Sequence, residues 1–560
     1  MSERPTARWL LEASELRKSF DAEEFARRLW KKDPTLWKND PVHAKIIANS
    51  LGWLALPETM SARARELSAF ADEVREAGFR HAAVLGMGGS SLAPEVFRRT
   101  FQPEGIGAKG LRLHVLDSTH PAWVRDLEKR APAKETLYIV SSKSGSTVEP
   151  MRFYDHFRAL AQKAVGPKSA SSHFVAITDP GTSLERLAKE RGFRRTFSNF
   201  PDIGGRYCAL SYFGLVPAAL AGVDVAGLLD SARAMADACK PSSPRNPGLD
   251  LGASLGALAR CGKDKIIFRL SPAISSFGLW LEQLIAESVG KEGKGAVPVA
   301  DEAPRDSYGS DRVFVFILLR NDPALPRFKK EIERLNSGGH PVLHFELPNE
   351  LALGAEFLRW EVATAALGRS LGIDPFDQPN VQDAKDRTNA ALAGLAKQGS
   401  LPKPAAHQKL GPLELTFSSA VSKRTLESLL DGARPGDYGG LLAYLPPKDA
   451  ALSDARQKFA AALGGAAVQF GYGPRYLHST GQLHKGGANN GIFLLLWTQP
   501  GPESPIPGSS YSFGQLCAAQ ALGDFEALES SGRRAALVKL TGDLDPALAS
   551  LAAALDGRRS

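Results

Sequence analysis

Thr136-Leu137-Tyr138-Ile139-Val140-Ser141-Ser142-Lys143-Ser144-Gly145-Ser146-Thr147-Val148 opens on five strand-forming residues and ends where a helical pattern begins. Between them, Ser141 to Thr147 packs five hydroxyls, one glycine and one lysine into seven residues. Strand, polar loop and helix in that order form the repeating unit of a parallel, doubly wound sheet. A loop of this kind at a helix N-terminus can wrap a phosphate with hydroxyl and backbone donors. The plainer alternative is a serine-rich helix cap. The GxxxxGK[ST] pattern is absent, which argues against nucleotide hydrolysis.

The same alternation extends outward. Apolar runs at His81 to Leu85, Leu111 to Leu116 and Phe174 to Thr178 are separated by helical patterns at Met60 to Ala77 and Val148 to Val165. They define a first α/β unit over residues 56–240. Residues 1–55 form a helical lead-in, with Trp9, Leu10, Phe20, Phe25 and Leu29 as apolar anchors expected to pack on that unit. The Pro/Ser-rich stretch Lys240 to Pro247 marks a boundary. A second unit, residues 248–395, has strands Lys265 to Leu270, Arg312 to Leu319 and Val342 to Leu347, and helices Ser276 to Val289 and Glu350 to Leu371. Residues 396–412 are a linker. A C-terminal α/β region, 413–555, alternates again. The expected fold class is α/β: two doubly wound parallel-sheet domains plus a C-terminal α/β segment.

Bulk composition narrows the function classes. The chain has 560 residues, 43% hydrophobic and 23% charged, with net charge +8. The basic residues are scattered, so nucleic acid is not an expected partner. No apolar run approaches the ~20 residues of a membrane span. The N-terminus shows no signal-peptide pattern. Cys208, Cys239, Cys261 and Cys517 form no CxxC pair, which fits a reducing cytoplasm.

Five more segments carry candidate chemistry. Gly86-Met87-Gly88-Gly89-Ser90-Ser91 follows a strand and lets backbone approach an anion through Gly89 and Ser90. It lacks the GxGxxG spacing of a dinucleotide site. Gly204-Gly205-Arg206-Tyr207 can bring a permanent cation into a cleft. In Gln283 to Lys291, Gln283 and Glu287 are four apart and share a helix face. Asp374 to Lys385 is a stiff, proline-rich corner that delivers Lys385 into the start of a helix. Gly473 to Gly487 is a glycine-bounded polar segment carrying Arg475, His478, His484 and Lys485 before a strand, and it reads as a loop. Metal ligation by His340, His344, His478 or His484 is not expected, because no Cys, Asp or Glu completes a ligand set near His478 and His484.

In this order the segments resemble the glucose-6-phosphate isomerase family, built from paired sugar-isomerase (SIS) domains. The closer likeness is to the isomerase half of bacterial fused transaldolase–glucose-6-phosphate isomerases, carried by residues 28–30 and 51–54, Gly86 to Pro94, and Gly473 to Gln482. Only about fifty residues precede the first α/β unit, too few for a transaldolase barrel of ~250 residues, so no transaldolase activity is expected. The resemblance implies interconversion of glucose 6-phosphate and fructose 6-phosphate through a cis-enediolate, in the cytoplasm. The alternatives are another SIS phosphosugar isomerase, acting on mannose 6-phosphate, or a non-catalytic sugar-phosphate-binding SIS protein.

The resemblance also implies roles. Ser90 belongs to a loop that approaches substrate, and Ser142, Lys143, Ser144 and Thr147 to the phosphate loop. Arg206 stabilises the enediolate. Gln283 and Glu287 match a motif whose glutamate moves the proton, and Lys385 helps open the ring. The chain has Ser144-Gly145-Ser146 where the family commonly has Thr-Phe-Thr, and Val289 where it often has Asn. The family's ring-opening histidine normally lies between the glutamate and the lysine, where this chain offers only His340, in a different register. His478 is therefore the expected ring-opening group, with His340, His344 and His484 as alternatives. No cofactor is expected, since both hydrogen transfers are proton transfers. The expected partners are the phosphosugar and, as an option, a second copy of the chain in a homodimer.

Overall fold

The computed structural model describes residues 5–103, 109–499 and 504–556. Three sheets organise them. The first has β1 (His81–Gly86), β2 (Arg112–Leu116), β3 (Thr136–Ser141), β4 (Phe174–Thr178) and β5 (Arg195–Ser198), all parallel, in the order β2-β1-β3-β4-β5. The second has β6 (Lys265–Leu270), β7 (Val297–Val299), β8 (Arg312–Leu319) and β9 (Val342–Leu347), also parallel, in the order β7-β6-β8-β9. Every residue of β8 is buried, as a central strand covered on both faces requires. The strand order reverses between β1 and β3 and between β6 and β8, where ligand crevices form in open α/β sheets.

The C-terminal region is α/β, but its sheet is mixed. Short strands β10 (Gln408–Leu410) and β11 (Leu413–Phe417) run antiparallel to each other, and β11 runs antiparallel to β15 (Arg534–Leu540). Strands β12 (Tyr438–Tyr444), β13 (Ala467–Tyr472), β14 (Gly491–Thr498) and β15 are mutually parallel. The sheet does not stand apart. Phe314 and Phe316 of β8 share a core with Tyr444, Phe493 and Leu495. Phe513 and Leu516 of helix Phe513–Ser530 pack into the core of the first sheet with Tyr138 and Phe153. This helix starts at a full capping box, Ser512 with Gln515, which satisfies two otherwise orphaned donors.

The lead-in is helical, but it does not rest chiefly on the first sheet. Helix Pro5–Ala22 lies on Pro247–Arg260, and the Trp37 indole donates to the Ala365 carbonyl at 2.8 Å. Helix Pro247–Arg260 and helix Leu353–Leu371 offer a broad apolar seam, because Gly248, Gly252 and Gly256 let the two backbones approach. Trp9, Phe20, Phe25 and Leu29 are buried as expected, whereas Leu10 is 53% exposed. The lead-in reaches the first unit at fewer points: Trp30 donates to the Cys239 carbonyl at 2.9 Å, Lys32 pairs with Asp202 at 3.0 Å, and Trp53 stacks on Tyr207. Among the described residues no helix is long and apolar enough to cross a membrane, and all four cysteines are free thiols.

Candidate active site

The serine-rich loop leaves β3 and enters helix Val148–Val165, with Thr147 as its cap residue. The Thr147 side chain makes no capping bond and is free to face outward. Ser144, Ser146 and Thr147 line a cavity of about 260 Å³ together with Glu149, Lys385, His478, Lys485 and Gln520. Ser142 is buried and its hydroxyl donates to Thr147 Oγ1 at 3.1 Å, so it braces the loop from behind. The Lys143 ammonium is held by Asp179 and the Pro201 carbonyl, away from the cavity. Lys385, in the first turn of helix Gln382–Gln398, is exposed and has no hydrogen-bond or ion-pair partner among the described residues. An unpaired ammonium beside hydroxyls and a helix N-terminus is an anion site by its chemistry. The Gln482 side chain fixes the approach to that helix by accepting from Asn380 N at 2.9 Å and donating to Asn380 Oδ1 at 2.8 Å.

His478 ends a short 3-10 turn, Arg475–His478, which runs into helix Gly481–Gly486. The segment is thus compact and largely buried, not a loop, because Arg475, Gln482 and Lys485 each find buried partners. His478 Nε2 lies 3.0 Å from Glu149 Oε1. Burial opposes ionisation of Glu149, yet the His478 partner outweighs it and holds the carboxyl below its usual range. The rival histidines stand elsewhere. His484 is buried against Gln469 Oε1 at 2.9 Å, and burial drives its pKa well below the ordinary value. His340 packs on Phe314 and Tyr308, and His344 lies on the exposed edge strand β9. None of the three lines the cavity.

A second group sits behind His478. The Gln283 amide donates to the His478 carbonyl at 2.7 Å and to Glu287 Oε2 at 3.1 Å. Its own carbonyl oxygen is buried without a partner. Arg206 stands 3.4 Å from Glu287 Oε1. It also donates to Ser288 Oγ, Gln378 Oε1 and the carbonyls of Pro375 and Asp377, at 2.7–3.0 Å. Its donors are thus spent on protein, and toward Glu287 it presents a charge at 3.4 Å. Gln283, Glu287 and Arg206 do not line the cavity that holds Lys385; Gln283 and the His478 segment connect the two groups.

Gly88 and Gly89 explain the close approach. Gly88 has φ +56°, and a Cβ there would come 2.7 Å from the His478 carbonyl. A Cβ on Gly89 would lie 1.9 Å from the Gly205 carbonyl. These glycines let three segments meet, carrying Ser90, Arg206 and His478. Ser90 is buried and outside the cavity lining.

One other cluster has metal-like composition: His43, Asp374 and Asp377. Its groups already have protein partners: Lys291 Nζ donates to Asp377 Oδ1 at 2.6 Å and to the Asp374 backbone carbonyl at 3.0 Å, and His43 Nδ1 lies 2.9 Å from Asp374 Oδ2. Burial and the nearby Arg206 charge bring the Lys291 pKa down to about 8. The cluster pins the corner that Arg206 also grips.

The sequence reading missed Glu149 and Gln520, and it placed Lys485 in a polar segment without giving it a role. Glu149, two residues past Thr147 in the first helical turn, had a positional signal. Gln520 had none: it stands 371 residues from its partner Glu149.

Comparison with known proteins bears on this arrangement directly. A curated glucose-6-phosphate isomerase of Heliobacterium modesticaldum is 31% identical over 413 residues, covering 65% of this chain and 92% of that protein. The chain belongs to the glucose-6-phosphate isomerase family. A family profile described as phosphoglucose isomerase matches residues 69–303. The glucose-6-phosphate isomerase of Rubrobacter xylanophilus is 28% identical over 391 residues, covering 62% of this chain and 90% of that one. Among solved structures, a hypothetical protein of Thermus thermophilus aligns with TM-score 0.57 at 25% identity, over 69% of this chain and 99% of that one. A glucose-6-phosphate isomerase from Chlamydia trachomatis aligns with TM-score 0.55 at 18% identity, over 69% and 86%, and shares the fold. The match in the family profile contains the serine-rich loop, Arg206, Gln283 and Glu287, but stops before Lys385 and His478.

Proposed function

We propose that this family member interconverts glucose 6-phosphate and fructose 6-phosphate. The observation that carries the reading is the Gln283 bridge, which ties the Glu287 carboxylate to the His478 segment beside a cavity lined by hydroxyls and a free lysine. The phosphate is bound by Ser144, Ser146 and Thr147, the N-terminus of helix Val148–Val165, and Lys385. The His478 Nδ1, which has no partner among the described residues, exchanges a proton with the ring oxygen or the anomeric hydroxyl, assisted by Lys385. Once the chain is open, Glu287 takes the C2 proton and returns it to C1. The Arg206 charge stabilises the enediolate oxygen through space. Both hydrogens move as protons, so the electron count of the sugar is unchanged. The free thiols support a cytoplasmic setting.

His478→Asn tests the reading. Turnover of cyclic glucose 6-phosphate should fall by roughly 100-fold or more, the scale of general acid–base catalysis. Solvent exchange of the C2 hydrogen in a tetrose 4-phosphate, which cannot close a ring, needs only Glu287 and should persist. Normal turnover of the cyclic sugar would remove His478 from the mechanism.

A further inference from the structure

Resting on the assignment of His478 to ring opening, we infer that Gln520 is a positioning residue: from the C-terminal domain it sets which nitrogen of His478 carries the proton. Thr119 and Gln520 form the outer half of a directional chain. Thr119 Oγ1 donates to Gln520 Oε1 at 2.6 Å, and Gln520 Nε2 donates to Glu149 Oε1 at 2.8 Å. His478 Nε2 meets the same carboxylate oxygen at 3.0 Å. Thr119, Glu149 and Gln520 are each more than nine-tenths buried, so water does not substitute freely for a missing partner.

The direction of each link fixes the next. An ionised carboxylate only accepts, so both the Gln520 amide and the His478 Nε2 must donate to it. The Gln520 amide cannot turn over without facing its oxygen to that carboxylate and its nitrogen to Thr119. In the neutral imidazole, with Nε2–H committed, the proton-free nitrogen is Nδ1, the one left without a protein partner among the described residues. That is the tautomer a ring-opening base requires.

The chain joins two domains. Thr119 follows β2 of the first sheet, Glu149 opens helix Val148–Val165, and Gln520 lies on helix Phe513–Ser530. The neighbours of Thr119 take part in the same docking. Asp117 receives Arg475 through two bonds of 2.7 Å, and Ser118 donates to the Gly473 carbonyl at 3.1 Å. Tyr444 of β12 donates to the Gln520 backbone carbonyl at 3.3 Å. The other ionisable groups facing the pair are Lys385 and Lys485 from the cavity wall, the latter held by Asp524 at 2.5 Å, and Tyr444. The C-terminal domain therefore supplies both the imidazole and the group that orients its partner.

The test uses the full-length enzyme with Gln520→Leu and Thr119→Val. Each removes one donor and keeps the side chain's approximate volume. For glucose 6-phosphate, kcat should fall by about ten-fold or more while KM stays within about two-fold. C2 exchange in the tetrose 4-phosphate should be unchanged. Nitrogen NMR of labelled histidine should show neutral His478 as the Nε2–H tautomer in the native enzyme and as a mixture in Gln520→Leu, where the Glu149 carboxylate has lost the donor that holds it against Nε2 and is free to turn away. Thr119→Ser restores the donor and should recover the loss seen in Thr119→Val, which separates the effect from damaged folding. If Gln520→Leu keeps native kcat and a pure Nε2–H tautomer while His478→Asn has lost cyclic turnover, the inference falls and the ring-opening assignment stands. If His478→Asn itself turns over cyclic sugar normally, the underlying assignment has failed instead.

Discussion

The two parallel sheets share a topology and differ at their carboxyl edges. In the first, the loops after β1 and β3 present glycines and hydroxyls, and the carboxylate that lines the cavity there, Glu149, is paired with His478. In the second, the ends of β6, β8 and β9 surround an open depression of about 530 Å³ lined by Pro272, Asp322, Pro348 and Glu350. An anion there would meet carboxylates and no cation. The second sheet contributes differently: helix Phe277–Val289, which follows β6, carries Gln283 and Glu287 toward the first sheet's loops. A shared sheet order therefore says where a site can form, and the loop residues say what it binds.

The sharpest way to break this division of labour is Glu287→Gln. It preserves shape and the Gln283 contact but removes the base. Isomerisation should fall by roughly 1,000-fold or more, with phosphosugar binding by calorimetry largely kept and C2 exchange abolished. Retained exchange would mean that the second sheet does not supply the base. A smaller effect is expected on the first-sheet side. Ser144→Ala and Thr147→Val each remove a bond to a charged phosphate, at a cost of about 1.5–3 kcal/mol, and so should raise KM by roughly ten-fold or more. If KM does not move in either variant, the anion binds elsewhere.

The smallest effect should appear where the lead-in braces the second unit. His43, in helix Pro41–Ala48, lies 2.9 Å from Asp374 Oδ2. That bond raises the His43 pKa, against a lesser opposing effect of burial, while burial raises that of Asp374. A raised folded-state pKa contributes stability that is complete below the unfolded value of about 6.5 and is lost as pH climbs through the folded value. His43→Gln should therefore cost about 1 kcal/mol in urea unfolding at pH 6 and less at pH 8.5. An equal loss at both pH values would show that packing, not charge, ties the lead-in to Asp374.

The sequence alone determined the parallel α/β units, because runs such as β8 are continuously apolar and their connections follow helical periodicity. It also determined the family, since the motifs are local and keep their order. Single segments located the hydroxyl loop, Glu287, Lys385 and His478. Other matters were decided only in three dimensions. The lead-in's seat on helices Pro247–Arg260 and Leu353–Leu371 depends on surfaces distant in sequence. So does the withdrawal of Lys143 to Asp179, since a lysine in a loop carries no sign of which carboxylate will hold it. The buried chain from Thr119 through Gln520 and Glu149 to His478 joins four segments with no shared local pattern. Periodicity shows which face of an element is buried; hydrogen bonds between distant elements exist only once the sheets and the C-terminal domain have packed.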